Sequence, residues 1–226
     1  MPRRVVDLST PVRTGHFRWD VERRLAKSHD TGAGQATWAG WNVHAFTHMD
    51  SPRHVDPEGF TTDAITPDMT IGEAAVLDLS DVPANAPIEA ERIAAAAHGL
   101  RRGDIAILKT RWDERASIDT PDFWLQSPWM TDGAAEFLYG RGVKAVAFDF
   151  PQDHCIRFFL TGEKRPPLPE HVTHYRLLAR GVIMFEYLAN TGALQASRCL
   201  FVGLPIRLPD SDGAPARVVA IEEAAA

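Results

Sequence analysis

The sequence predicts a mixed α/β fold, and three observations carry that prediction. Short apolar runs of strand length recur along the chain, bounded by turn residues. Two stretches between them carry helix start and stop signals. The composition, 45% apolar and 24% charged over 226 residues, is that of an ordinary globular chain long enough for a substantial core.

Taken in order, "RVVDLSTPV" reads as a first strand ended by Pro11. "AAVLDLS" (74–80) and "DIAILKT" (104–110) read as buried strands. Between them, "APIEAERIAAAAHGL" reads as a helix with Pro87 in its first turn, acidic residues early and Gly99 as its stop. "TDGAAEFLYGRG" repeats the pattern, with Thr131 or Asp132 as N-cap and Gly142 as stop, and the strand "VKAVAFDF" follows. "GVIMFEYL", "CLFVGLPIRL" and "ARVVAIEE" add three further strand-like runs. Residues 24–42 and the proline-rich 161–173 show little period and read as long loops, which in a compact domain are often functional. No repeat or boundary interrupts the series, so residues 1–226 read as a single domain.

A net charge of −6 with no long basic run argues against a nucleic-acid surface, and it offers nothing to an anionic membrane. No apolar stretch approaches the roughly 20 residues that span a bilayer. "MPRRVVDLSTPV" lacks the continuous apolar segment of a secretory signal. Cys155 and Cys199 are too few for a disulfide framework, which points to the cytoplasm.

Functional chemistry concentrates in "HAFTHMDSPRH", residues 44–54, which holds three of the nine histidines and an aspartate. For any one histidine, a hydrogen-bonded place in the core is the plainer reading. Together, His44, His48 and Asp50 supply the neutral imidazoles and carboxylate that zinc and its neighbours use. On a helix Asp50 would point about 240° away from His44. On a straight strand His44 and His48 would sit roughly 13 Å apart. The run therefore has to bend if all three meet, and Pro52 ends any strand near Ser51. His54 then lies at the rim, as a fourth ligand or as a group free to move protons.

The string H-x-x-T-H-x-D-x-P-x-H, made here by His44, Thr47, His48, Asp50, Pro52 and His54, resembles the signature of the cyclase/kynurenine-formamidase family of metal-dependent hydrolases, which also contains isatin hydrolases. The resemblance implies that His44, His48 and Asp50 bind metal and that His54 is the catalytic proton-transfer residue. Two-metal members add a histidine and a glutamate twelve residues apart, and "HYRLLARGVIMFE" places His174 and Glu186 at that separation. "DLSTPV" and "RGVKAVAFDFPQD" resemble further family segments, and Trp19 falls where some members set an aromatic residue against substrate. The family fold implied is a swivelling β/β/α domain, usually homo-oligomeric, as a dimer or tetramer. Phe46 stands where many members have glycine, and is expected to narrow the pocket or give it an aromatic wall.

The implied activity is hydrolysis of an amide-type C–N bond in a small, aromatic substrate, with an N-formyl aryl amine first and a lactam or lactone ring as the alternative. One or two divalent ions are implied, zinc first and manganese second. Trp19 and Phe46, with Trp38 or Trp41, are candidates for an apolar wall, core packing being the plainer reading of each tryptophan. The rivals are a cyclase or dehydratase on the same ligands, a non-catalytic metal protein with His54 closing the shell, and a Cys155 nucleophile beside His154. The last is disfavoured because neighbours on an extended chain point opposite ways.

Overall fold

The computed structural model describes residues 3–162 and 166–223. In chain order its strands are β1 (Arg3–Asp7), β2 (Val21–Lys27), β3 (Ala36–Trp41), β4 (His48–Asp50), β5 (Ile71–Asp78), β6 (Pro87–Ile88), β7 (Ile105–Lys109), β8 (Trp129–Met130), β9 (Ala145–Phe148), β10 (Ile183–Glu186), β11 (Arg198–Pro205) and β12 (Gly213–Glu223). Eight of them form one mixed sheet in the order β1-β12-β11-β5-β7-β9-β10-β4, and a further β4–β12 pairing closes it on itself. The neighbours β5, β7, β9 and β10 are parallel, and the remaining pairs of this sheet are antiparallel.

Strand periodicity explains how both faces fill. Ile105 and Ile107 join Met49, Phe185 and Phe201 in a core inside the closed sheet. Ala106 and Leu108, pointing the other way, join Ile93, Ala134 and Leu138 from the helices that cover the outside. The helix Asp132–Arg141 has the predicted ends: Thr131 accepts from the backbone N–H of Ala134, and Gly142 closes it at φ +71.

Three expectations change. The helix after Pro87 starts only at Ala90 and ends at Ala96, because Pro87 and Ile88 pair instead with Trp129 and Met130. Residues 24–42 contain most of a β2–β3 hairpin rather than a loop. Only Val21 of β2 is buried, so no apolar alternation marked it. Within 161–173, residues 163–165 lie outside the described residues, and the short helix Val172–Arg176 carries His174. No helix among the described residues is long and apolar enough to cross a membrane.

Candidate active site

Parity on β4 sets the site. His48 and Asp50 share the outward face, while Met49 between them enters the closed sheet's core. Register then brings Glu186 of β10 opposite His48 and Gly213 of β12 opposite Asp50. Gly213 has to be glycine for packing reasons, since a Cβ there would lie 2.7 Å from Cε1 of His44. The bend that the spacing demanded lies just upstream, where Phe46 adopts φ +59. A non-glycine residue pays roughly 1–2 kcal/mol for that left-handed conformation. It brings the His44 and His48 rings to 5.2 Å between centroids.

Each of these side chains is oriented by a second group. Nδ1 of His48 lies 2.8 Å from the Phe46 carbonyl, so Nδ1–H donates and Nε2 keeps its lone pair. Nδ1 of His174 is likewise taken by Asp153, at 2.6 Å, and Asp153 also accepts from the backbone N–H of Thr173. The Gln152 amide donates to Glu186. His44 faces Asp50 at 2.7 Å through Nδ1 and Asp212 at 2.9 Å through Nε2. Asp212 also lies 3.2 Å from Nδ1 of His54.

The groups left over converge. Nε2 of His174 lies 3.5 Å from Glu186 and 3.8 Å from Asp50. Nε2 of His48 lies 3.1 Å from Asp50 and 3.8 Å from Glu186. Yet Nε2 of His48 and Oδ2 of Asp50 are buried without a hydrogen-bond partner among the described residues. Buried polar atoms are almost always satisfied, so unpaired nitrogen and oxygen ligands aimed at one another fit a divalent cation. Two sets of ligand atoms within 4.8 Å of one another, His44/His48/Asp50 and Asp50/His54/His174, share Asp50.

The electrostatics follow from this crowding. Burial pushes the His44 imidazole down, but Asp50 and Asp212 outweigh it and its pKa rises to about 9. Burial opposes His174 in the same way, and Asp153, Glu186 and Asp50 raise it to about 9. Burial would raise Asp50, but His48 and His44 hold it well below the usual carboxylate range. His54 moves the other way: burial, with His44 and His174, lowers it despite Asp50 and Asp212. A neutral, base-competent imidazole therefore stands at the rim near pH 7.

A cavity of about 850 Å³ opens over these groups, lined at its inner end by His44, His48, Asp50, His54, His174 and Glu186. Trp19, Tyr187, Phe17, Arg18 and Phe159 line it further out. Trp19 thus lines the cavity, its ring 5.4 Å from that of Tyr187. Phe46 does not: it is fully buried beneath Trp19, at 4.8 Å between centroids, and lies outside the cavity lining. The left-handed backbone that directs His44 inward turns the Phe46 ring into the core, so it supports the wall rather than forming it. Trp38 is exposed on the hairpin against Arg24 and Trp41 packs on the core; neither lines the cavity. His171 does, beside His174. Cys155 is buried, and burial together with Asp153 pushes its thiol up to about 12, which leaves no thiolate nucleophile.

Sequence reading missed Gln152, Asp153, Tyr187, Arg18 and Asp212 as parts of the site. Their partners lie 21 to 168 residues away for the carboxylates, beyond any motif's span. The Asp–Gly step at 212–213 was the one local signal.

Known proteins resemble this chain in sequence and in fold. The Cyclase family model matches residues 6–152. The chain is 25% identical to a kynurenine formamidase of Bacillus thuringiensis (strain Al Hakam), over 94% of this chain and 91% of that protein. It is 27% identical to an isatin hydrolase of Roseibium aggregatum, over 89% and 81%. Among solved structures, isatin hydrolase A from Labrenzia aggregata, bound to benzyl benzoate, matches with a TM-score of 0.77 at 23% identity, over 97% of this chain and 93% of that one. Isatin hydrolase A from Ralstonia solanacearum matches at 0.79 and 21%, over 98% and 92%. These structural likenesses are of fold.

Proposed function

The chain belongs to the Cyclase family, and from that premise we propose that it is a metal-dependent hydrolase of amide-type C–N bonds, with an N-formyl aryl amine as substrate. The observation that carries the reading is the pair of buried, unpartnered ligand atoms, Nε2 of His48 and Oδ2 of Asp50, among converging imidazoles and carboxylates. In this reading His44, His48 and Asp50 hold one divalent ion, and His174 and Glu186 join Asp50 around a second. Nitrogen and oxygen ligands suit zinc first and manganese second. When bound, such an ion supplies Lewis acidity, polarising a carbonyl and making water easier to deprotonate.

The chain's own residues do the rest. Nε2 of His54 takes the proton of the attacking water and delivers it to the leaving nitrogen. Asp212, beside Nδ1, fixes the tautomer that leaves Nε2 free to do so. Trp19 and Tyr187 hold the aryl ring against an apolar wall and keep bulk water from the reacting carbon. The enzyme acts as one domain over residues 1–226, as a cytoplasmic homo-oligomer, dimer or tetramer. The buried free thiols of Cys155 and Cys199 support the compartment, and the exposed β2–β3 hairpin offers an assembly surface.

The 27% identity to an isatin hydrolase favours a second reading, hydrolysis of a ring amide. Product analysis separates them, because opening a ring releases no formate. The test of the shared machinery is His54→Asn. It should keep its metal by elemental analysis and lose about 10² to 10⁴ in turnover. Near-normal turnover with full metal would remove His54 from its role.

A further inference from the structure

The one arginine or lysine among the described residues lining the cavity is Arg18, and nothing in the hydrolytic chemistry uses it. Its guanidinium carbon lies 5.3 Å from the Trp124 ring centroid, 5.5 Å from Phe159 and 6.0 Å from Trp19. Aromatic rings hold a guanidinium through its faces and leave the in-plane N–H fork free. Here Nε of Arg18 is buried and has no hydrogen-bond partner, and among the described residues no carboxylate pairs with this cation. A permanently charged group fixed in an aromatic frame, with unused donors and an open cavity beside it, lacks one component: a planar anion.

Building on the hydrolase reading, we propose that Arg18 is the specificity-determining residue of this site and that the substrate is an aromatic amide bearing a carboxylate on its ring or side chain. The guanidinium fork and a carboxylate match edge to edge, a stronger contact than a neutral hydrogen bond. The arrangement also orients the molecule. With the inner ligands occupied by the ion and the reacting amide, Arg18 is the cation left to take a carboxylate at the outer part of the cavity. Tyr187 spans the distance, its ring 5.5 Å from His48 on one side and 6.3 Å from Trp124, beneath Arg18, on the other.

The experiment compares 4-formamidobenzoate with formanilide on the metal-containing enzyme, as wild type, Arg18→Gln and Arg18→Lys. A para carboxylate cannot reach back to the inner ligands, so its effect reports the mouth alone. Wild type should favour the carboxylate in kcat/KM. The preference should shrink about 10- to 100-fold in Arg18→Gln, the size of one charge-assisted contact, mainly through KM, and return in part in Arg18→Lys. The same preference in wild type and Arg18→Gln would overturn the proposal. If wild type hydrolyses neither compound, the N-formyl reading fails by itself, and quenching of tryptophan fluorescence by benzoate against benzamide decides Arg18. Weakened benzoate binding in a folded Arg18→Gln variant upholds it, and equal binding overturns it.

Discussion

At the inner end of the cavity His48, His174 and Glu186 are each tied to an orienting carbonyl, carboxylate or amide, whereas at the mouth the side chains of Arg18, Phe17 and Trp19 rest against rings. The first kind of support fixes direction to within a hydrogen bond's tolerance, and the second fixes only a plane. Bond-making chemistry needs the former, because a misplaced ligand or base loses the reaction. Selecting among aromatic substrates needs only a wall and a charge. The two ends should therefore fail differently when altered.

The largest effect should come from Asp50→Asn, which weakens the one carboxylate that both ligand sets share. Metal per chain should fall to one ion or none and turnover should drop below detection; unchanged metal content would break the shared-ligand account. Glu186→Ala tests the second ion alone, and a fall from two ions to one is the expected result. Phe46→Ala probes what lies between the two ends. Removing a fully buried phenylalanine should cost about 3–5 kcal/mol, read as a lower midpoint in denaturant melts. A loss under 1 kcal/mol would show that the ring's packing contributes little, since alanine keeps the Cβ and with it the strain at φ +59.

A pH prediction sharpens the same contrast. In chelator-treated protein His44 and His174, each with a folded pKa of about 9 against 6.5 unfolded, contribute stability that is fully present below pH 6.5. That contribution is lost as pH rises through about 9. The melting temperature of the metal-free protein should thus fall from pH 6.5 to 9.5, while the metal-loaded protein, whose ligands are already unprotonated, should lose less. Parallel curves would show that these imidazoles do not face the ion. The smallest effect is expected at the mouth: Trp19→Ala should raise KM by roughly 10-fold with kcat nearly kept, measured on formanilide.

Much of this was legible before any fold was known, and the reason is local. His44, His48, Asp50 and His54 lie within eleven residues, so their spacing alone forced a bend, and the bend is there at Phe46. The helix Asp132–Arg141 was equally readable because its cap and stop are neighbours in sequence. What failed to show was set by distance or by solvent. Asp212 meets His44 and His54 only after β12 has closed the sheet, and no periodicity announces such a contact. The β2–β3 hairpin, exposed along most of its length, carries no apolar alternation to betray it. Phe46 was misjudged because the identity of a side chain says nothing of the sign of φ beneath it.

Closure of the sheet has a bearing on the time course of folding. Strand β4 is bonded on one flank to β10 and on the other to β12, so the residues at 48 and 50 find their places only once the segment at 213–215 has arrived. Such far-separated pairings are slow steps, and during synthesis on a ribosome the last of them must await residues more than 160 positions after β4. On the proposed reading, ion capture would be a late event: a nascent chain that stops short of β12 has the motif but no finished seat for an ion.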